Sequence, residues 1–305
     1  MRFLAEFAMQ SRGRAVGAVS GFAVVGMLLP PVALLSSALV ALVALRLGAG
    51  QAVLVTAFSA LALGAAMFVL VPEAPPMAGV LAGFVQWLPV VALAELLRRT
   101  ISWPLTLQIG AAVAGAAVLL VHLLVPDLES FWAAAGMSLL GPLMEGAGNG
   151  AEELEAALRQ AAPYLTGLAA GIVLLSLTLS LVVARYWQAL LYNPGAFGEE
   201  FRALQFGRAA SAATLGLLAA GHFGGVPLAM ELAFILGVLF FLQGIALMHG
   251  LTHRQGMSSF WLVGMYVLMA LALPQMFLLL ATLGVVDAWA DIRSRLAPEN
   301  SNTDS

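Results

Sequence analysis

The stretch PLAMELAFILGVLFFLQGIALMHG, from Pro227 to Gly250, is apolar over almost its whole length and carries a single acid, Glu231. A helix that crosses a bilayer needs about 20 mostly apolar residues. This run supplies them without interruption. Such a run could also form the middle of a large soluble core, and the rest of the chain decides between the two. Of 305 residues, 62% are hydrophobic and only 10% are charged. A soluble domain carries about 25% charged residues, so this chain lacks the polar groups to cover a water-facing surface. Mean hydropathy is +0.98. For most of the chain the solvent is a lipid bilayer.

Working outward from 227–250, further apolar segments fall at 14–29, 32–46, 51–71, 77–97, 104–125, 164–190, 209–223 and 258–285. Pro30-Pro31 separates the first two, because proline breaks a helix and restricts the residue before it. The expected fold is an all-α polytopic transmembrane bundle of eight to nine membrane segments. It forms a single integral membrane domain over 1–296. The first apolar stretch is read as a retained helix, since further membrane segments follow it directly. The tail 297–305, APENSNTDS, is disordered by composition.

The thirteen basic residues are all arginines. The positive-inside rule uses them to orient the chain. With the N-terminus in the cytoplasm of a bacterial inner membrane, Arg2, Arg12 and Arg14 lie inside. So do Arg46, Arg98, Arg99, Arg185, Arg202, Arg208 and Arg254. Nine crossings put Arg293 and Arg295 outside, whereas eight bring them in. One of 32–46, 209–223 or the segment divided by Pro274 is then re-entrant or interfacial.

Two connections carry features of their own. The outer loop 126–163 is acidic, and within it GAEELEAALRQAAP (150–163) places Leu154, Ala157, Leu158 and Ala161 on one helical face. It reads as a lid-like or interfacial helix after a flexible turn at 145–150. The cytoplasmic linker 191–208 follows Tyr186 and Trp187, which suit an aromatic belt. Asn193-Pro194-Gly195 ends the preceding helix. Phe197, Phe201, Leu204 and Phe206 then alternate with Glu199, Glu200, Arg202 and Arg208. This is either a surface anchor or a docking site for a partner, with Phe197, Phe201 and Arg202 as its contacts.

Several classes of chemistry are disfavoured. Net charge is −3 and cysteine is absent, so neither nucleic acid, disulfides nor thiolate chemistry is expected. No P-loop and no H-E-x-x-H motif occurs. His249 and His253 have ligand spacing, but beside Arg254 they read as an interfacial cap. No enzyme activity, cofactor or metal is expected. The candidate ligand contacts are polar groups that a bilayer makes expensive: Glu231, Gln243, Gln275 and Gln86, with Glu95 and Gln108 as weaker cases. Glu95 reads as an ion-pair partner of Arg98 and Arg99. Gln243 lies three turns beyond Glu231, near mid-bilayer, and reads as either a helix-to-helix bond or a pocket residue. Gln275 follows Pro274, and broken helices border transport sites. Gly13, Gly17 and Gly21 form a small-residue ladder suited to close helix packing, within the chain or with another subunit. A second ladder runs through Gly110, Ala111, Ala114 and Gly115.

Four stretches carry a resemblance. They are 26–61 (GMLLPPVALLSSALVALVALRLGAGQAVLVTAFSAL), 191–208 (LYNPGAFGEEFRALQFGR), 231–251 (ELAFILGVLFFLQGIALMHGL) and 278–296 (LLLATLGVVDAWADIRSRL). Together they resemble the YybS family of bacterial membrane proteins, most specifically at Gln243-Gly244 and at Gly284, Asp287, Asp291 and Arg293. The N-terminal part of that family is similar to the substrate-binding S components of energy-coupling-factor (ECF) transporters. The resemblance implies capture of a small solute from outside. It also implies a coupling subunit docked at Gly13, Gly17 and Gly21, and separate ATPase partners. Two readings follow: a substrate-capture or transport subunit, or a non-catalytic scaffold or assembly factor docking through its linker.

Overall fold

The structure is a computed structural model and describes residues 2–71, 73, 75, 77–141 and 150–295. Its helices are α1 (Arg2–Met9), α2 (Arg12–Leu28), α3 (Pro30–Leu47), α4 (Ala49–Leu70), α5 (Ala78–Thr100), α6 (Trp103–Leu124), α7 (Leu128–Leu140), α8 (Gly150–Tyr192), α9 (Ala196–Arg202), α10 (Gly207–His222), α11 (Pro227–Arg254), α12 (Phe260–Leu271), α13 (Leu273–Ala290) and α14 (Ile292–Arg295). No strand occurs among the described residues. Among the described residues, seven helices, α3, α4, α5, α6, α8, α11 and α13, are long and apolar enough to cross a membrane. Large apolar side chains such as Phe58, Phe68 and Leu123 stay exposed on them, which suits contact with lipid. The chain is a multi-pass helical membrane protein. The expected turn at 145–150 falls, apart from Gly150, outside the described residues, as does the tail 297–305.

The helices group into two compact units. The first is Met1–Leu107 with Leu175–Ala203, the second Gln108–Leu174 with Leu204–Ser305. In the first, α3 is central. Its residues from Ser36 to Leu45 are all buried, as expected of a helix whose every face is apolar or small. Pro30 occupies its first position and Leu29 caps it, so the double proline divides α2 from α3 as its chemistry requires. Helices α4 and α5 form a hairpin that closes at Gly64 and Gly79, where a Cβ on Gly79 would lie 2.8 Å from the Gly64 Cα. Arginines collect at one end of this unit. Arg98 and Arg99 hold Glu95 at 2.7 and 2.6 Å, and the Arg46 guanidinium sits 4.1 Å above the Tyr192 ring.

The second unit is built on α11, whose buried face runs from Ala229 to Thr252. Helix α10 runs antiparallel to it: Ser211 near its start receives the Trp289 indole N–H at 2.7 Å, while Gly221 near its end packs on Met230. The segment expected as one span at 258–285 is two helices. The chain breaks at Ala272, which has an extended φ of −142°. Pro274 supplies no backbone donor, so the helix cannot simply continue. Helix α12 runs back along α11, with Tyr266 O–H 2.8 Å from the His249 Nε2. Helix α13 then runs parallel to α11: Phe277 lies at Gly237, Asp287 at Gln243 and the Arg293 carbonyl at Arg254 Nη1, 2.6 Å away. With 12 residues, α12 is about 18 Å long, too short for a hydrocarbon core of about 30 Å. Helices α12 and α13 thus form a hairpin packed along α11. It leaves Arg254 and Arg293 at the same end of the unit.

The outer loop also differs from expectation. Residues 150–163 are not a separate lid. They are the first turns of α8, a 43-residue helix that runs straight through Pro163. Proline here costs one backbone bond, which the long helix tolerates. A further helix, α7, precedes it. Asp127 caps α7 by accepting the Ser130 N–H at 2.9 Å. Gly136 of α7 packs against Leu158 of α8, one of the residues expected on the apolar face of 150–163.

Candidate functional site

Glu231 lies one turn into α11 and is 0% exposed. Its Oε1 accepts the Gly167 N–H of α8 at 2.8 Å. Its Oε2 lies 3.1 Å from Nε2 of His122 on α6, without the alignment of a full hydrogen bond. The His122 Nδ1 is 3.0 Å from the Val118 carbonyl, one turn earlier on its own helix. The backbones meet because residue 167 is glycine: a Cβ there would fall 2.3 Å from the Glu231 Cβ. Next to it, Thr166 Oγ1 accepts the Trp132 indole N–H at 2.9 Å, which ties α7 over this end of α8. The site is thus a buried carboxylate, a backbone donor and a partly exposed histidine, held by three helices.

Gln243 is also 0% exposed, but every group of its amide is used within the protein. Its Oε1 accepts the Phe206 N–H at 2.9 Å and its Nε2 donates to Asp287 Oδ2 at 2.9 Å. Asp287 is itself buried and lies 3.3 Å from Arg293 Nη2. This cluster joins α11, α13 and the entry to α10, and it has the form of a structural bond rather than a pocket. Gln86 behaves alike. Its Nε2 donates to the Ala33 carbonyl and to Ser36 and Ser37 Oγ, each at 3.2 Å, fastening α5 to α3 beside the Trp87–Ser36 bond. Gln108 donates to the Phe206 carbonyl at 3.1 Å. Interhelical bonds of this kind contribute about 0.6 kcal/mol each. Gln275 is exposed on α13 and is not brought to any of these groups.

The expected partner contacts divide in two. Gly13, Gly17 and Gly21 lie on the exposed face of α2, and a Cβ on any of them would meet nothing within 4 Å. They do not serve packing within this unit. Gly17 and Gly21 border an open apolar groove of about 470 Å³ with Phe3, Phe7, Phe22 and Val25. The second ladder does pack internally, with Gly115 against Leu232. In the linker, Phe197 is occupied by its own chain, its ring 6.4 Å from Trp103, 6.1 Å from Tyr186 and 5.7 Å from Phe201. Phe201 and Arg202 are half-buried. Glu200 clasps Arg185, with Arg185 Nε at 2.9 Å and a second bond from Nη2, and accepts the Trp103 N–H at 3.2 Å. Gln188 completes the clasp, accepting from Arg185 and donating to the Leu45 carbonyl at 3.2 Å.

Burial pushes the Glu200 carboxyl up, but the Arg185 guanidinium and the Trp103 donor outweigh it and hold the carboxyl below the ordinary range. A depressed carboxyl stabilises the clasp above its unfolded pKa, the ordinary glutamate value of 4.5. That stabilisation is lost as pH falls through the lower folded value. Proteolysis within 193–206 should accordingly rise as the protein is acidified through this window. In Glu200→Gln it should be high at neutral pH and nearly independent of pH.

Sequence reasoning found Glu231 but not His122, which reaches it from a helix distant in sequence. It also missed the Asp287–Arg293 pair as a buried pair. Among the described residues, no group of three or more His, Asp or Glu is placed to hold a metal ion.

The fold and this site define a multi-pass α-helical membrane protein. Residues 143–288, which include α8, α10, α11 and most of α13, are similar to a family described as predicted membrane protein (DUF2232). No curated protein and no solved structure matches the chain significantly.

Proposed function

We propose that the protein is a transport-type subunit of a bacterial cytoplasmic membrane, with its N-terminus inside, and that Glu231 with His122 is its working group. The observation that supports this most is the burial of an acid inside a spanning helix with one oxygen lacking a well-aligned partner. A carboxylate at membrane depth is expensive, and a purely structural bundle gains nothing from one that is incompletely bonded. Energy comes from elsewhere than a nucleotide site in this chain. On the resemblance to S components, the open glycine face of α2 is where a coupling subunit with its ATPases docks. The scaffold reading receives less support, because the linker aromatics it needs are packed against Trp103 and Tyr186.

The test is purification from native membranes in mild detergent, with mass spectrometry of proteins and small molecules. Co-purifying ATPase and coupling subunits, or a retained small solute, is the expected result. Glu231→Gln should lose the solute or its uptake, while Gly17→Leu should lose the partner subunits. Recovery of envelope-assembly proteins alone, with no solute, overturns the transport reading.

A further inference from the structure

The geometry at Glu231 narrows what that site takes. The Val118 carbonyl can only accept, so the His122 Nδ1 facing it at 3.0 Å carries a hydrogen. A neutral imidazole has one N–H, which leaves Nε2 a bare acceptor. Yet Nε2 faces the carboxylate oxygen at 3.1 Å. Two acceptors at that distance repel, and repulsion inside a membrane protein is little screened. One of the two groups has to carry one more proton. It sits either on Nε2, giving imidazolium and carboxylate, or on Oε2, giving imidazole and carboxylic acid. Both arrangements are neutral as a pair, and loss of that proton leaves one uncompensated negative charge at a fully buried position.

The surroundings bear on ligand size and access. The α8 backbone at Gly167 is packed directly onto the Glu231 backbone, and its N–H holds Oε1. A solute of several heavy atoms would need α8 to move away, whereas a proton needs no space. His122 is the opening, since its side chain is 27% exposed while Glu231 is 0% exposed. The other charged groups near this end are committed elsewhere. Asp127 caps α7, and Arg159 pairs with Glu129 and Glu155. From α10, Gly221 meets Met230, and the His222 ring lies on Phe223. Among the described residues, His122 alone lies within ion-pair distance of Glu231.

We propose that Glu231 and His122 form a proton-binding site that holds one exchangeable proton between them, loaded and released through the exposed edge of His122. On release the proton passes to water at Nε2 and leaves the Glu231 carboxylate held by the Gly167 N–H. This rests on the transport reading only for its purpose; the proton site itself is measurable without any solute.

The experiment is pH-difference infrared spectroscopy of the purified full-length protein, from about pH 5 to about pH 8, where histidine changes charge. The wild type should show carboxyl and imidazole bands changing together in one transition. Glu231→Gln should remove the carboxyl change. His122→Ala, which keeps the acid, should move it by at least about one pH unit, a tenfold change in proton affinity. Absence of any coupled transition in wild type, or a carboxyl change that survives Glu231→Gln, overturns the proposal. If the transition is present but no solute or partner is ever recovered, the proton site stands and the transport reading falls.

Discussion

Gly244→Ala should cost this protein most of its stability, and Gly284→Ala should do the same. A Cβ on Gly244 would fall 2.0 Å from the Leu280 carbonyl oxygen, and one on Gly284 would fall 2.1 Å from that of Phe240. Both obstacles are backbone atoms in helices and cannot rotate aside. The crossing of α11 with α13 would have to open, and the Gln243–Asp287 bond would open with it. Overpacking typically costs about 1–3 kcal/mol, and a clash with backbone on both sides belongs at or above the top of that range. Thermal unfolding in detergent, followed by tryptophan fluorescence, measures it. Gly13→Ala, Gly17→Ala and Gly21→Ala are the controls, because their Cβ atoms meet nothing. They should leave the midpoint unchanged or raise it slightly, since alanine favours helix by up to about 1 kcal/mol over glycine. Equal destabilisation in both sets would mean that the α11–α13 contact is not the close crossing described.

The second large effect is expected next to the same crossing, one turn further along α13. Arg293→Met would leave Asp287, 0% exposed, with only the Gln243 amide for company. Removing one member of a buried ion pair costs about 3–5 kcal/mol. Combining Asp287→Leu with Arg293→Met removes both charges and should recover most of that loss. A double variant no better than Arg293→Met alone would show that the pair does not act as a unit.

How far the sequence could be read follows from what is local and what is not. Helices α3, α4, α5 and α11 were legible because length and apolarity are properties of one segment. Glu231 was legible for the same reason, as an acid inside an apolar run. His122 was not, because its partner is set by the packing of α6, α8 and α11 rather than by spacing. The amide of Gln243 was visible, but its role depended on Asp287, a residue that sequence alone places at a helix end. Pro274 inside 258–285 signalled a disturbance without its sense. A kinked span and a fold-back have the same composition, and the glycine crossing of α11 with α13 decides between them. Pro163 gave the opposite error, since an isolated proline in a 43-residue helix marks no boundary. Gly13, Gly17 and Gly21 were legible as a small-residue ladder, but a Cβ on any of them would meet nothing within 4 Å, so the ladder serves no packing within its own unit.

The fold-back of α12 and α13 also governs how the protein is made. Its two helices differ in reach: the 12 residues of α12 extend about 18 Å and the 18 residues of α13 about 27 Å. Helix α12 is too short to cross alone, whereas α13 has the length and apolarity to do so, and a proline in its first turn is no obstacle. The place of α12 in the bilayer therefore depends on the helices on either side of it in sequence, α11 and α13. A chain cut just after Leu271 keeps six of the seven long apolar helices but leaves α12 without α13 and the buried face of α11 uncovered, so that truncation should be cleared by membrane proteases faster than the full-length chain.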